Sequence, residues 1–129
     1  MKKIVILNDE LKTQMQIYLA LCEAYRVEIA EDVEAAMYML RRMQPEILLL
    51  DHDLEQFRIN GKSTMEFVRK IKKKYAGLKI MMLFENDNRA EEELLQAYGA
   101  DSILYKPVKN RHLLQRIRAL SLSHRAIAS

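Results

Sequence analysis

The chain has 129 residues, half of them hydrophobic and 30% charged, with a formal net charge of +3. That length suits one domain with a real core and excludes two, and no apolar run approaches the ~20 residues needed to cross a bilayer. The charge is too small to argue for direct nucleic-acid binding, and the single Cys22 excludes an internal disulfide and a cysteine-based metal site.

Lys2 and Lys3 before Ile4-Val5-Ile6-Leu7 give the start a basic then apolar character, but Asn8-Asp9-Glu10 ends the run far too early for a signal peptide. A cytoplasmic protein is expected, and residues 3–7 read as a first buried strand. Glu10 through Cys22 places Leu11, Met15, Tyr18, Leu19 and Cys22 at the spacing of one helical face, so these are predicted to point inward. Residues 25–30 form a short second strand whose alternation of Val27 and Ile29 with charged residues predicts an edge with one wet face. Asp32 is placed to cap a second helix with Val33, Ala36, Met37 and Leu40 on one stripe.

Pro45 precedes the third strand, Ile47-Leu48-Leu49-Leu50-Asp51, with His52 and Asp53 directly after it. Asn60-Gly61 predicts a turn, and Ser63 with Glu66 a capping box opening a third helix that carries Phe67, Val68, Ile71 and Tyr75 inward. Gly77 is expected to end that helix in the left-handed conformation. Residues 79–84 are a fourth apolar strand. A fourth helix follows, with Leu94, Ala97 and Tyr98 predicted inward and Gly99 at its end. Residues 102–105 are a fifth strand leading to Lys106-Pro107. Asn110 is placed to cap a last helix with Leu113, Leu114, Ile117 and Leu120 on its inner face, and the domain is expected to span residues 1–121, with 122–129 a tail that frays. Methionines such as Met37, Met39, Met81 and Met82 read as core filler. The run from Arg69 to Lys74 reads as a solvated helix end favoured by its own dipole.

Five strands alternating with five helices make a doubly wound, flavodoxin-like α/β domain with a parallel sheet. In the strand order 2-1-3-4-5, the ends of strands one and three are neighbours, and they carry Asn8-Asp9-Glu10 and Asp51-His52-Asp53. Carboxylates gathered at such a point repel unless a cation joins them, and oxygen ligands suit Mg²⁺ better than zinc. Lys106 ends the fifth strand within reach of the same cleft.

The position of the acidic pair after strand one (here Asn8-Asp9), Asp51 ending strand three, Gly99-Ala100 before strand five and Lys106-Pro107 after it resemble the receiver domain of bacterial response regulators over essentially the whole chain. The resemblance implies a phosphoacceptor in two-component signalling. Asp51 would take a phosphoryl group from a sensor histidine kinase or phosphotransfer protein. Asp9, Asp51 and the backbone carbonyl of Asp53 would hold Mg²⁺, with Asn8 contributing weakly or through water. Lys106 would stabilise the phosphoryl charge, and a cis bond at Lys106-Pro107 would aim it. Output would pass to a downstream protein target, with a homodimer possible, no membrane and no nucleic-acid contact.

Three departures stand out. Asn8 replaces the first acidic residue. Phe84 stands where strand four ends in Ser or Thr, and Ile103 where strand five carries the switch aromatic. The loop from Asp51 to Gly61 is long and has Glu55 in place of a Pro. Phosphorylation is therefore expected to couple weakly to the face of the fourth helix and fifth strand. A pseudo-receiver that binds partners without phosphorylation is the alternative reading. His52 is expected to be a solvated loop residue rather than a general base. An aspartyl-phosphate phosphatase of the haloacid-dehalogenase type is disfavoured, since Phe84 stands where such enzymes need Ser or Thr and a late acidic pair is missing. The chain is expected to act as a signalling module rather than an enzyme with turnover.

Overall fold

Strands that are apolar at every position must be covered on both sides, and the helices do this. The computed structural model describes residues 1–59, 64–85 and 89–128, with 58, 59 and 122–128 described by backbone alone. Strands β1 (Lys3–Leu7), β2 (Arg26–Ala30), β3 (Ile47–Asp51), β4 (Lys79–Phe84) and β5 (Ser102–Tyr105) form one parallel sheet in the order β2-β1-β3-β4-β5. The helices are α1 (Leu11–Leu21), α2 (Val33–Met43), α3 (Glu55–Ile59), α4 (Thr64–Lys74), α5 (Arg89–Ala97) and α6 (Asn110–Ala128). The sheet is the expected one. The helix count is corrected from five to six, because the long segment after β3 folds into α3 instead of an open loop.

Alternation along the central strands sorts their side chains into two cores. Val5, Leu7, Leu48, Leu50, Ile80, Met82 and Phe84 pack with Ala36 and Leu40 of α2, Val68 and Ile71 of α4 and Leu95 of α5. Ile4, Ile6, Ile47, Leu49, Met81 and Leu83 pack with Ile17 and Leu21 of α1 and Leu113 and Ile117 of α6. Each large aliphatic buried in this way contributes about 1.5–3 kcal/mol. The sheet's edge at β2 keeps Arg26 exposed, as its alternation predicted.

Two helical faces differ from expectation. On α1 the buried residues are Thr13, Gln14, Ile17 and Leu21, while Leu11, Met15 and Leu19 are 69%, 45% and 65% exposed. On α5 the buried residue is Leu95, and Leu94 and Tyr98 are exposed. Both helices carry apolar residues on two sides, so periodicity alone could choose the wrong one.

Helix ends are set by specific groups. The Asp32 carboxylate accepts the Ala35 N–H at 2.8 Å, as expected of an N-cap. Gln44 (φ 51°) takes the left-handed position after α2, and Gly99 (φ 123°) takes it after α5. A Cβ on Gly99 would also stand 2.8 Å from Lys72 Cγ. Gly77 does not adopt the left-handed conformation expected of it. Instead the Lys72 ammonium donates to the Leu78 carbonyl at 2.5 Å and to Asp101 Oδ2 at 2.7 Å, and Asp101 Oδ2 also accepts the Ile80 N–H. The expected turn at Asn60-Gly61 and the Ser63 half of the capping box lie outside the described residues. The backbone of α6 stays helical to Ala128, through the stretch read as a tail. No helix among the described residues is long and apolar enough to cross a membrane.

Candidate functional site

Parallel strands deliver their last residues to one rim, and the order of this sheet puts the ends of β1 and β3 side by side there. Asn8 follows β1, Asp51 is the last residue of β3 and Lys106 follows β5, with a cis peptide to Pro107 as the sequence suggested. Asn8 and Asp51 are buried, at 0% and 2% exposure. A buried carboxylate is costly unless it is paired and hydrogen-bonded, and Asp51 is both. Lys106 Nζ lies 2.9 Å from each of its oxygens. Its Oδ1 also accepts the Asp53 N–H at 2.9 Å, and its Oδ2 accepts from Asn8 Nδ2 at 2.8 Å.

Asn8 is fixed at its other end, where Oδ1 accepts the Glu10 N–H at 2.7 Å. This network assigns the amide orientation. The Asn8 carbonyl in turn accepts from Gln14 Nε2 at 2.5 Å, which explains why a glutamine is buried on α1. Asp9, exposed beside the cleft, accepts the N–H of Glu55, the first residue of α3. The residue standing in place of a proline thus supplies the hydrogen that tethers Asp9.

Asp53 Oδ2 is buried and has no hydrogen-bond donor among the described groups, with Lys106 Nζ 4.0 Å away. Asp9, Asp51 and Asp53 together present oxygen donors alone, the chemistry that suits Mg²⁺. Among the described residues no three His, Cys, Asp or Glu side chains converge as a preformed metal cage. A hard cation here would keep several waters, as Mg²⁺ commonly does. A recess of about 300 Å³ opens beside Lys106, between Thr13 and Gln16 of α1 and Pro107 and Val108.

Phe84 and Ile103, the two substituted positions, are both buried in the core shared with α2, α4 and α5. His52 is not the solvated loop residue expected. Its side chain is 19% exposed, and its ring lies flat on Phe84, with centroids 4.3 Å apart and planes 17° from parallel. Its Nε2 meets Glu91 Oε1 of α5 at 2.5 Å. Phe84 also meets Tyr105 at 6.3 Å in a tilted arrangement. Tyr105 and Glu91 escaped the sequence reading, although an aromatic directly before Lys106 was a signal that could have drawn attention to the first.

The response regulator receiver domain family matches this chain over residues 4–118. A CheY-like response regulator receiver domain protein from Methanospirillum hungatei JF-1 superposes with a TM-score of 0.85 at 24% identity, covering 98% of both chains. The chemotaxis protein CheY4 of Vibrio cholerae gives 0.80 at 21%, covering 93% of this chain and 98% of its own. NtrX from Brucella abortus, solved in complex with ADP, gives 0.85 at 19% and covers 99% of this chain, which spans only 28% of NtrX. At these identities the superpositions establish the fold, and the match over residues 4–118 establishes the family: the chain belongs to the response regulator receiver domains of two-component signalling.

Proposed function

We propose that this receiver domain accepts a phosphoryl group on Asp51 from a phosphohistidine of a sensor kinase or phosphotransfer protein, and signals through contacts with a downstream protein. The observation that carries the reading is the buried Asp51 carboxylate, held on both oxygens by Lys106 at the rim of the β1–β3 crevice. In the transfer an Asp51 oxygen forms the new bond to phosphorus as the donor's N–P bond breaks. The electron pair stays on the imidazole nitrogen. Positioning and charge neutralisation do most of the catalysis in such a step. Lys106 keeps the nucleophile aimed and offers its ammonium to the incoming phosphoryl oxygens.

Asp9, Asp51 and the Asp53 carbonyl would hold Mg²⁺, which when bound supplies countercharge to the phosphoryl oxygens. Asn8 commits its oxygen to Glu10 and its nitrogen to Asp51, so it would help the cation only through water. The exposed stripe Leu11, Met15 and Leu19 starts at the cleft and offers the phosphodonor an apolar seat. Incubation with a small phosphodonor and Mg²⁺, read by intact mass, should add one phosphoryl group that Asp51→Asn abolishes. A modification surviving in that variant would remove the assignment. The absence of any modification would favour the second reading, a phosphorylation-independent interaction module, which is supported by an Asp51 already satisfied by Asn8 and Lys106.

A further inference from the structure

The usual hand-off from a receiver's acceptor site uses a hydroxyl on strand four and an aromatic on strand five, and this chain has Phe84 and Ile103 instead. The structure offers another route, through the residue next to Asp51. The His52 N–H donates to the Leu83 carbonyl at 2.9 Å, which holds His52 in the β3–β4 ladder. Its ring rests on Phe84, and its Nε2–H points at Glu91 in the first turn of α5. The partner is a carboxylate, so this nitrogen must carry the hydrogen. The ring's other nitrogen faces Asp53 Oδ1 at 3.6 Å, and Asp53 Oδ2 lies 4.0 Å from Lys106 Nζ. A continuous series of polar contacts thus runs from Asp51 through Lys106, Asp53 and His52 to Glu91.

We propose that His52 is a positioning residue that seats the first turn of α5 through Glu91 and reports the phosphorylation of Asp51 to that helix. The proposal rests on the phosphoacceptor reading above. A phosphoryl group adds negative charge beside Lys106 and draws its ammonium toward itself. Asp53, whose Oδ2 has no donor of its own, then loses its nearest cation. Its carboxylate, which faces Nδ1, then competes with Glu91 for the one imidazole hydrogen by favouring the tautomer that carries it on Nδ1. A shift of the hydrogen between the two ring nitrogens leaves the imidazole stacked on Phe84, so the exchange demands no repacking of the core. Phe84 serves here as a flat support in place of the missing hydroxyl.

The test compares amide spectra of ¹⁵N-labelled protein with Mg²⁺, before and after addition of beryllofluoride. In the wild type, amides around Asp9, Asp53 and Lys106 and those of α5 should all move. In His52→Ala and in Glu91→Gln the α5 response should fall by about fivefold or more, on the scale of an ordinary coupling between sites, while the loop response persists. His52→Gln, which keeps an N–H donor, should restore much of the α5 response. A purely structural His52 would alter stability without uncoupling the two regions. Should His52→Ala fail to fold, Glu91→Gln decides the matter on its own. An undiminished α5 response in both variants would overturn the proposal, as would a wild-type α5 that stays still while the loops respond. Silence of the loops in the wild type would instead remove the phosphoacceptor reading, and this proposal with it.

Discussion

Replacing Asn8 by aspartate restores the family's acidic pair and sets two carboxylates against each other. Asn8 Nδ2 now donates to Asp51 Oδ2 at 2.8 Å in a buried setting. Asn8→Asp removes that donor, and with charge centres about 4 Å apart at an effective dielectric of ~20 the repulsion is about 4 kcal/mol. Loss of a hydrogen bond to a charged acceptor adds about 1.5–3 kcal/mol. Lys106 lies against Asp51 and would offset part of this, leaving about 3–5 kcal/mol of destabilisation without a cation. For a domain of this length each kcal/mol moves Tm by roughly 3–5 °C, so melting in EDTA should drop by about 10–20 °C. Mg²⁺ should reverse much of it, since a ligand at about a hundredfold excess over Kd returns about 2.7 kcal/mol. The wild type should respond to Mg²⁺ far less, and titration should show the variant binding the cation more tightly. The assay is thermal denaturation across a Mg²⁺ series for both proteins. A variant that melts with the wild type in EDTA and ignores Mg²⁺ would refute the placement of the Asn8 amide against Asp51.

Gly99→Ala forces a side chain into a left-handed backbone and onto Lys72, and should cost about 1–3 kcal/mol, seen as a lower urea midpoint. A midpoint equal to wild type would mean the Lys72–Asp101 brace yields freely. Phe84→Thr removes most of a buried ring and its stack with His52, for a loss of about 3–5 kcal/mol by chemical denaturation. The same variant returns a hydroxyl to the cleft and should slow loss of the phosphoryl group from Asp51, measured by the decay of the phosphorylated mass. Leu11→Ser with Leu19→Ser should change stability by no more than about 0.5 kcal/mol per site, both being exposed, yet reduce phosphotransfer from a protein donor while sparing a small phosphodonor. Equal loss with both donors would show that the stripe is not a docking surface.

Most of the architecture is written in the apolar runs. β1, β3 and β4 each carry an unbroken apolar run, and such runs between helical stretches leave few choices besides a covered parallel sheet. Asn8, Asp51 and Lys106 were legible for the same reason, since each sits at or just past a strand end and the sheet order brings those ends together. Helical phase was harder. α1 bears Leu11, Met15 and Leu19 on one side and Ile17 and Leu21 on another, and the buried side is chosen by Gln14 reaching the Asn8 carbonyl. No periodicity reveals that bond. Likewise His52 looked like a loop residue because nothing local shows Phe84 beneath its ring or Glu91 across from it; these are contacts over 32 and 39 positions of sequence. The segment that became α3 gave no apolar stripe, and its first N–H is anchored by Asp9 in the loop after β1.

The contacts of Asp51 also bear on its reactivity. A carboxylate has about four lone-pair directions, and in this structure four donor contacts fill them: two from Lys106, one from Asp53 N–H and one from Asn8. A nucleophile needs an unshared pair, so attack on phosphorus must begin with one donor letting go. The contacts from Asn8 and Asp53 come from neutral groups, and are weaker than those from the ammonium. The pair freed first therefore belongs to the Asn8 side of Oδ2 or the Asp53 side of Oδ1. Resting Asp51 is, in this sense, a nucleophile kept corked, and the residue that replaced the family's acid supplies one of the two stoppers that can be drawn.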